Sequence, residues 1–440
     1  MTPSTAAETT HSYPDWTPTR RIGFRFAFSY LLLYNLPSPF YSIRGTLWVP
    51  DLFGTLWAAL VPWLGAHVMG IVGPIRNMGP HGDTVFAYVR AAACVLFSVL
   101  ATVAWTLLDR NRKQYVVLLG ALRVYIRYTL AAALLVYGVS KVIPHSQLSP
   151  LTASRLFERV GNLNAQNVMW TFMRYSEGYA CFTGTIEALA GLLLFFRRTT
   201  VLGALVAFAA MTNVAAIDFF YHVPVRQYAT HLHLMAAFLV AAHFRRIIAV
   251  LLDAYEIPPA DKTTTVPQSA WHRRGARIAQ IAVAGALVFS TAAQALEIRG
   301  KGSPQQPPLY GAYRVLEFKV NGQPMALTGV DAHVWQSAVF EGDTDYDSPA
   351  GYPRTGSTLT VTFVDDSTKH YHTAYDAAAN VLTWFAGNTP NKENVVQYSW
   401  LNPEQLKLVG TSEKNSVQIT MRKIAFRLNE PESWWLRPPR

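Results

Sequence analysis

Residues 184–198 read GTIEALAGLLLFFRR. One carboxylate, Glu187, stands in an apolar run that closes on two arginines, and how that run is read decides the fold. About 20 mostly apolar residues cross a bilayer as a helix. A charge at the centre of such a helix costs roughly 2.5–3.5 kcal/mol on insertion scales, so it turns toward the bundle interior and pairs. The stretch predicts a membrane helix with a buried ionic partner.

Comparable runs lie near 22–40, 84–108, 115–142, 177–196, 199–220, 227–250 and 277–297, which makes about seven predicted spans. A further stretch, WVPDLFGTLWAALVPWLGAHVMGI (48–71), is interrupted by Pro50, Asp51, Pro62 and His67, and its tryptophans suit an interface. It reads as a re-entrant or surface-lying segment. With 51% hydrophobic and 15% charged residues and a mean hydropathy of +0.14, the chain is too apolar for an ordinary soluble protein and too polar to lie wholly in lipid.

The net charge of +11 does not point to nucleic acid, because the basic residues sit at span ends and are not interleaved with aromatics in one block. Arg20 and Arg21 precede the first span, Arg110, Arg112 and Lys113 follow the second, and Arg197 and Arg198 separate the fourth from the fifth. Arg245, Arg246, Arg273, Arg274 and Arg277 flank the loop between the sixth and seventh. With seven spans all four clusters share one side, which the positive-inside rule makes cytoplasmic. The N-terminus is then inside and the C-terminus outside. Residues 1–19 lack an apolar core and a cleavage site, and read as a solvated cytoplasmic tail. Both cysteines, Cys94 and Cys181, fall within predicted spans, which disfavours a structural disulfide and leaves no CxxC pair.

Beyond a linker at 299–308, RGKGSPQQPP, the period changes to two. RVLEFKV followed by NG, STLTVTFV followed by DDS, and NVLTWFA, VVQYSWL, QLKLVG and SVQITMRKI alternate as half-buried strands do. About eight strands at this spacing form an antiparallel barrel or sandwich over 309–440. Two interiors fit: a lipocalin-like cup for a hydrophobic ligand, or a barrel packed solid by Trp335, Phe363, Trp384, Tyr398 and Trp400. His370 and His372 read as solvent-facing strand residues.

The transmembrane domain spans 20–298. In its third predicted span, ALRVYIRYTLAAALLVYGVSKVI, Arg123, Arg127 and Lys141 share a helical stripe. Counted from the cytoplasmic ends, Arg127 and Glu187 lie at matching depth, so an intramembrane ion pair of Glu187 with Arg127 or Arg123 is expected, with Arg90 a further candidate partner. Such a pair serves helix register more often than chemistry.

The segment from YIRYTLAAALLVYGVSKVI through GTIEALAGLLLFFRRTTVLGALVAFAAMTNV to THLHLMAAFLVA resembles the DoxX-like four-helix membrane module. The resemblance rests on the arginine opening the first helix, Gly138 and Lys141 closing it, and a Glu-x-x-Gly-Gly-type second helix, here with Ala190 in place of the first glycine. It covers about 116–250. It implies a bacterial inner-membrane protein whose relatives are associated with quinone-linked oxidation of sulfur compounds.

A second polar group gathers toward the opposite membrane face: Lys141, Asp218, His222, His231 and His233, with Tyr137 and Tyr221. A quinone site needs apolar walls, a donor to the carbonyl and a titratable group, and these residues supply them. The structural alternative is that they are interfacial anchors and an ion pair. His231 and His233 are two apart on a helix and point to different sides, so no metal is assigned to them. Three function classes are open: an accessory to a quinone-linked redox process working beside another membrane redox protein, a carrier or sensor of a lipophilic molecule, or a non-catalytic scaffold. Membrane lipids are partners in all three.

Overall fold

The computed structural model describes residues 15–38, 40–42, 45–46, 48–77, 82–252, 270–301, 306–329, 331–342, 357–386 and 394–426. Its contacts divide the chain into two units. The first comprises residues 1–142 and 181–294, and the second comprises 143–180 and 295–440.

The first unit is helical. It holds α1 (Pro18–Asn35), α2 (Trp48–His67), α3 (Val85–Leu108) and α4 (Val116–Val142). The segment from 143 to 180 adds α5 (Ala153–Phe157) and α6 (Ala165–Tyr175) to the second unit. The chain then returns through α7 (Glu177–Phe195), α8 (Thr200–Phe220), α9 (Arg226–Ala241), α10 (Phe244–Leu251) and α11 (Ala270–Lys301). Six of these helices, α2, α3, α4, α7, α8 and α11, are long and apolar enough to cross a membrane. The α9–α10 pair, bent by 73°, makes a seventh if it crosses as one span. This is a multi-pass membrane protein.

Two expectations change here. The first expected span is α1, which ends at Asn35 and carries Arg20, Arg21 and Arg25, and it is not among the helices apolar enough to cross. The stretch at 48–71 qualifies instead as the continuous helix α2. Its apparent breakers are accommodated: Pro50 and Asp51 fall in the first turn, where a missing N–H is harmless and an acidic group meets the positive end of the helix dipole. His67 is the last helical residue, and only Pro62 lies inside.

The core of this unit is built around α4. Leu122, Ile126, Leu130, Leu134 and Leu135 are fully buried or nearly so, against Ala190, Leu194 and Phe195 of α7 and Ala204 and Ala207 of α8. Met235 and Ala236 of α9 and Leu287 of α11 complete it. Arg25 of α1, also buried, donates to the Tyr115 hydroxyl at 2.6 and 3.0 Å, to Thr106 at 2.8 Å and to the Asp109 carbonyl at 2.8 Å, which ties α1 to the end of α3 and the start of α4.

The second unit is dominated by an antiparallel meander: β1 (Gly311–Val320), β2 (Gln323–Pro324), β3 (Trp335–Gly342), β4 (Ser357–Phe363), β5 (Thr368–Asp376), β6 (Val381–Phe385), β7 (Asn394–Asn402), β8 (Gln405–Ser412) and β9 (Asn415–Lys423). β1 pairs with both β3 and β9, so β1 and β3–β9 close into an eight-stranded barrel, while β2 is a short hairpin return on β1. That hairpin turns on Asn321 and Gly322, both at positive φ (48° and 79°), the backbone a type I′ turn requires. The interior is packed. Tyr313, Phe340, Leu359, Val361, Leu382 and Met421 are each 0% exposed, and Trp335, Phe363, Trp384 and Tyr398 join them. Trp400 does not: it is 43% exposed, near the end of β7, with its ring 6.4 Å from that of Tyr313.

The segment 143–180 contributes to this unit's packing. Ala153 of α5 is buried on Ala312 and Val339, which point outward from β1 and β3, and the Ser154 amide donates to Glu341 Oε1 at 2.6 Å. Helix α11 runs through residue 301, so regular structure continues past the expected domain end at 298, and residues 302–305 of the expected linker lie outside the described residues.

Candidate functional site

Small residues set the geometry of the polar site. Gly138 of α4 packs so closely on α7 that a Cβ there would collide with the Ala188 amide, and a Cβ on Gly184 would stand 2.6 Å from the Gly138 carbonyl oxygen. Gly191 meets the backbone of Ala131 and Leu135 in the same way. Close approach through small residues is how membrane helices gain packing energy without a hydrophobic drive. These contacts fix an antiparallel register in which Gly138 faces Gly184 and Ala188, and Lys141 consequently reaches Glu187.

Lys141 Nζ donates to Glu187 Oε1 at 2.6 Å and to Oε2 at 2.8 Å. The side chains are 13% and 4% exposed. The expected partner was different. Arg127 instead donates to Thr200 Oγ1 at 3.2 Å and to the Tyr128 hydroxyl at 2.9 Å, with its guanidinium 4.7 Å from the Tyr128 ring centre. The physical reason is stagger. Matching depths from the helix ends assumes flush helices, but the glycine register carries the first turns of α4 past the C-terminal end of α7, where Arg127 meets the start of α8. Arg123 lies another turn away from Glu187 along α4. Arg90 lies 5.6 Å above the Tyr34 ring.

Asp218 of α8 is 4% exposed, and among the described residues its Oδ2 has no hydrogen-bond partner. It lies within electrostatic reach of Lys141, Glu187, Asp83 and Arg226. Tyr137, one turn before Lys141, is in reach of both Glu187 and Asp218, and its ring centre is 6.1 Å from that of Tyr228. The structure thus brings together three of the seven candidates, Lys141, Asp218 and Tyr137, with Glu187 from the ion pair.

The other four go elsewhere. His231 Nδ1 lies 2.7 Å from the Gln227 carbonyl, so Nδ1 carries the proton and Nε2 accepts from the Tyr30 hydroxyl at 2.6 Å. Its ring stacks on Tyr34 at 3.7 Å and 6°. His233 instead faces α8, 3.3 Å from Thr212 Oγ1 and 4.7 Å from the Phe208 ring. The two imidazoles serve different helices. His222 (φ 56°) and Tyr221 are exposed at the α8–α9 turn. Among the described residues no group of three His, Cys, Asp or Glu is placed to hold a metal ion.

Asp83 was missed by sequence reasoning. Its side chain is 2% exposed and accepts from Arg226 Nε at 2.8 Å, from the Arg226 amide at 3.1 Å and from the Gln227 amide at 3.0 Å. It therefore caps α9 from another part of the chain, in the way a local cap residue would. The available signal was GDT at 82–84: an acid beside a threonine N-cap, just ahead of an apolar run.

Chemically, the cluster offers a buried carboxylate with one uncommitted oxygen beside an ammonium–carboxylate pair and a phenol. Such a set can exchange a proton with, or hydrogen-bond, a polar head that enters from the apolar surroundings. No family model matches the chain, and no solved structure matches it. Over 124 residues it is 30% identical to the Uncharacterized protein YwoB of Bacillus subtilis (strain 168), in an alignment that covers 28% of this chain and 78% of that protein. With that identity over most of the relative's length, the chain belongs to the family of YwoB.

Proposed function

We propose that this protein is a DoxX-like component of the bacterial inner membrane that serves a quinone-linked redox process, with its N-terminus cytoplasmic and its barrel periplasmic. The observation that carries the reading is Asp218 Oδ2, a buried acceptor with no hydrogen-bond partner among the described residues and within electrostatic reach of the Lys141–Glu187 pair. An unsatisfied buried polar atom costs about 1–3 kcal/mol, and a ligand head that bonds it recovers that cost. A quinone couples electron uptake to proton uptake. Asp218 and Tyr137 would hold its polar head, Lys141 with Glu187 would fix the charge beside it, and apolar helix faces would take the tail. The orientation is supported by the basic residues at 110–113, 197–198, 245–246 and 273–277.

The test is native mass spectrometry of the detergent-purified protein with quinone extraction. Near-stoichiometric quinone in wild type, lost in Asp218→Asn while the melting temperature holds, is the expected result. Retention of another lipophilic molecule in place of quinone would favour the carrier reading, and wild type without either would remove both.

A further inference from the structure

The outer wall of the barrel carries a groove of about 1300 Å³ between the α5 region and strands β1, β3, β4 and β5. It lies wholly within the second unit and is separate from the polar site of the helices. Its volume exceeds the ~300–1,000 Å³ of ordinary small-molecule pockets, which suits an extended ligand.

Strand register orders the groove floor. Arg314 faces Ser337, Ser337 faces Thr362, and Thr362 faces Thr368, giving one guanidinium and three hydroxyls in a row across four strands. A second row runs from Val339 through Thr360 to His370, whose Nδ1 is 3.0 Å from Thr360 Oγ1. A third runs from Glu341 through Thr358 to His372. Neighbouring groups within a row are ~4.8 Å apart and successive rows ~6.7 Å apart, the spacings of paired strands and of alternate residues.

The charges on this floor are unequally committed. Glu158 pairs with Arg155 at 2.8 Å, Asp366 lies 3.9 Å from Arg159, and Glu341 accepts the Ser154 amide. Arg314 is exposed and, among the described residues, has no ion-pair partner. A grid of hydroxyl and imidazole groups with one uncommitted guanidinium at a corner matches a chain of hydroxyl-bearing rings that carries an acidic group, since Arg grips carboxylates through paired N–H donors. We infer that this groove binds an acidic oligosaccharide, with its carboxylate on Arg314 and its hydroxyls on the threonines and His370.

The experiment is calorimetric titration of the full-length protein in detergent with trigalacturonate, maltotriose and inorganic phosphate. Trigalacturonate is expected to bind at least roughly tenfold more tightly than either of the others, and Arg314→Gln to weaken it by a similar factor, the scale of one charged hydrogen bond. Arg314→Lys should retain part of the affinity, and His370→Ala should lose part. Equal binding of maltotriose would overturn the charge assignment. Equal binding of phosphate would reduce the groove to a simple anion site. No binding of trigalacturonate, or binding indifferent to Arg314→Gln in a variant that melts like wild type, would overturn the proposal outright.

Discussion

Lys141 holds both oxygens of Glu187, at 2.6 and 2.8 Å, one turn from the point where Gly138 lets α4 and α7 touch backbone to backbone. The ion pair and the glycine contact are two expressions of one register. Glu187→Gln should therefore leave the Lys141 ammonium without its counter-charge and cost roughly 3–5 kcal/mol, the range for breaking a buried pair. In a double-mutant cycle of melting curves, Glu187 and Lys141 should couple strongly, while Glu187 and Arg127 should be additive. Additivity for Lys141 would break the register argued here.

The ion pair was legible in kind but not in partner. A lone glutamate in an apolar run announces a buried partner, but which cation meets it depends on helix stagger, set by the approach of Gly138 to Gly184. The barrel was more legible because Leu359, Val361 and Phe363 reveal their face by alternation alone, and Asn321-Gly322 marks its own turn. Trp400 has the same alternation but sits at the strand's end, where exposure depends on how the neighbouring strands finish. The docking of α5 left no trace in the pattern, since five residues are too few to show a period. Asp83 was hidden because its partners, Arg226 and Gln227, are far along the chain.

The closed barrel buries the hydroxyls of Tyr313 and Tyr375, and among the described residues that of Tyr313 has no hydrogen-bond partner. Burial pushes both above the ordinary value of 10. A proton held more tightly in the folded state than in the unfolded one contributes stability below about pH 10, and that stability is lost as pH rises beyond it. Tyr313→Phe removes an unsatisfied hydroxyl worth about 1–3 kcal/mol of desolvation. Hydrogen exchange of β1 and β3 in the full-length protein should show equal or greater protection in this variant, and a shallower loss of protection above pH 10. Reduced protection at neutral pH would mean that the hydroxyl has a partner.

The Ser154 amide and Glu341 join α5 to the barrel wall at 2.6 Å. Glu341→Ala should cost roughly 1.5–3 kcal/mol locally, as for a hydrogen bond to a charged group. The loss should appear as faster exchange of amides at 152–158, with β6–β8 unchanged. Uniformly faster exchange over the barrel would show instead that α5 is needed for the barrel to close.

Because Ala153 and Ser154 pack with Ala312, Val339 and Glu341 in one unit, the segment 143–180 and the barrel must lie on the same side of the membrane. Between them come α7, α8, the α9–α10 pair and α11. The chain must cross an even number of times over that interval, and α7, α8 and α11 alone would give three crossings. We therefore predict that the bent α9–α10 pair, whose 73° break permits either reading by shape, crosses as one span. The check uses single cysteines in a Cys94→Ala, Cys181→Ala background, with a membrane-impermeant maleimide on intact spheroplasts. Val160→Cys, ahead of α6, and Thr411→Cys, on β8, should label together. Arg198→Cys, in the α7–α8 turn, should label only after the membrane is opened. Labelling of Val160→Cys and Thr411→Cys from opposite sides would mean that α9–α10 re-enters, and that the segment and the barrel cannot pack as one unit in the membrane-inserted protein.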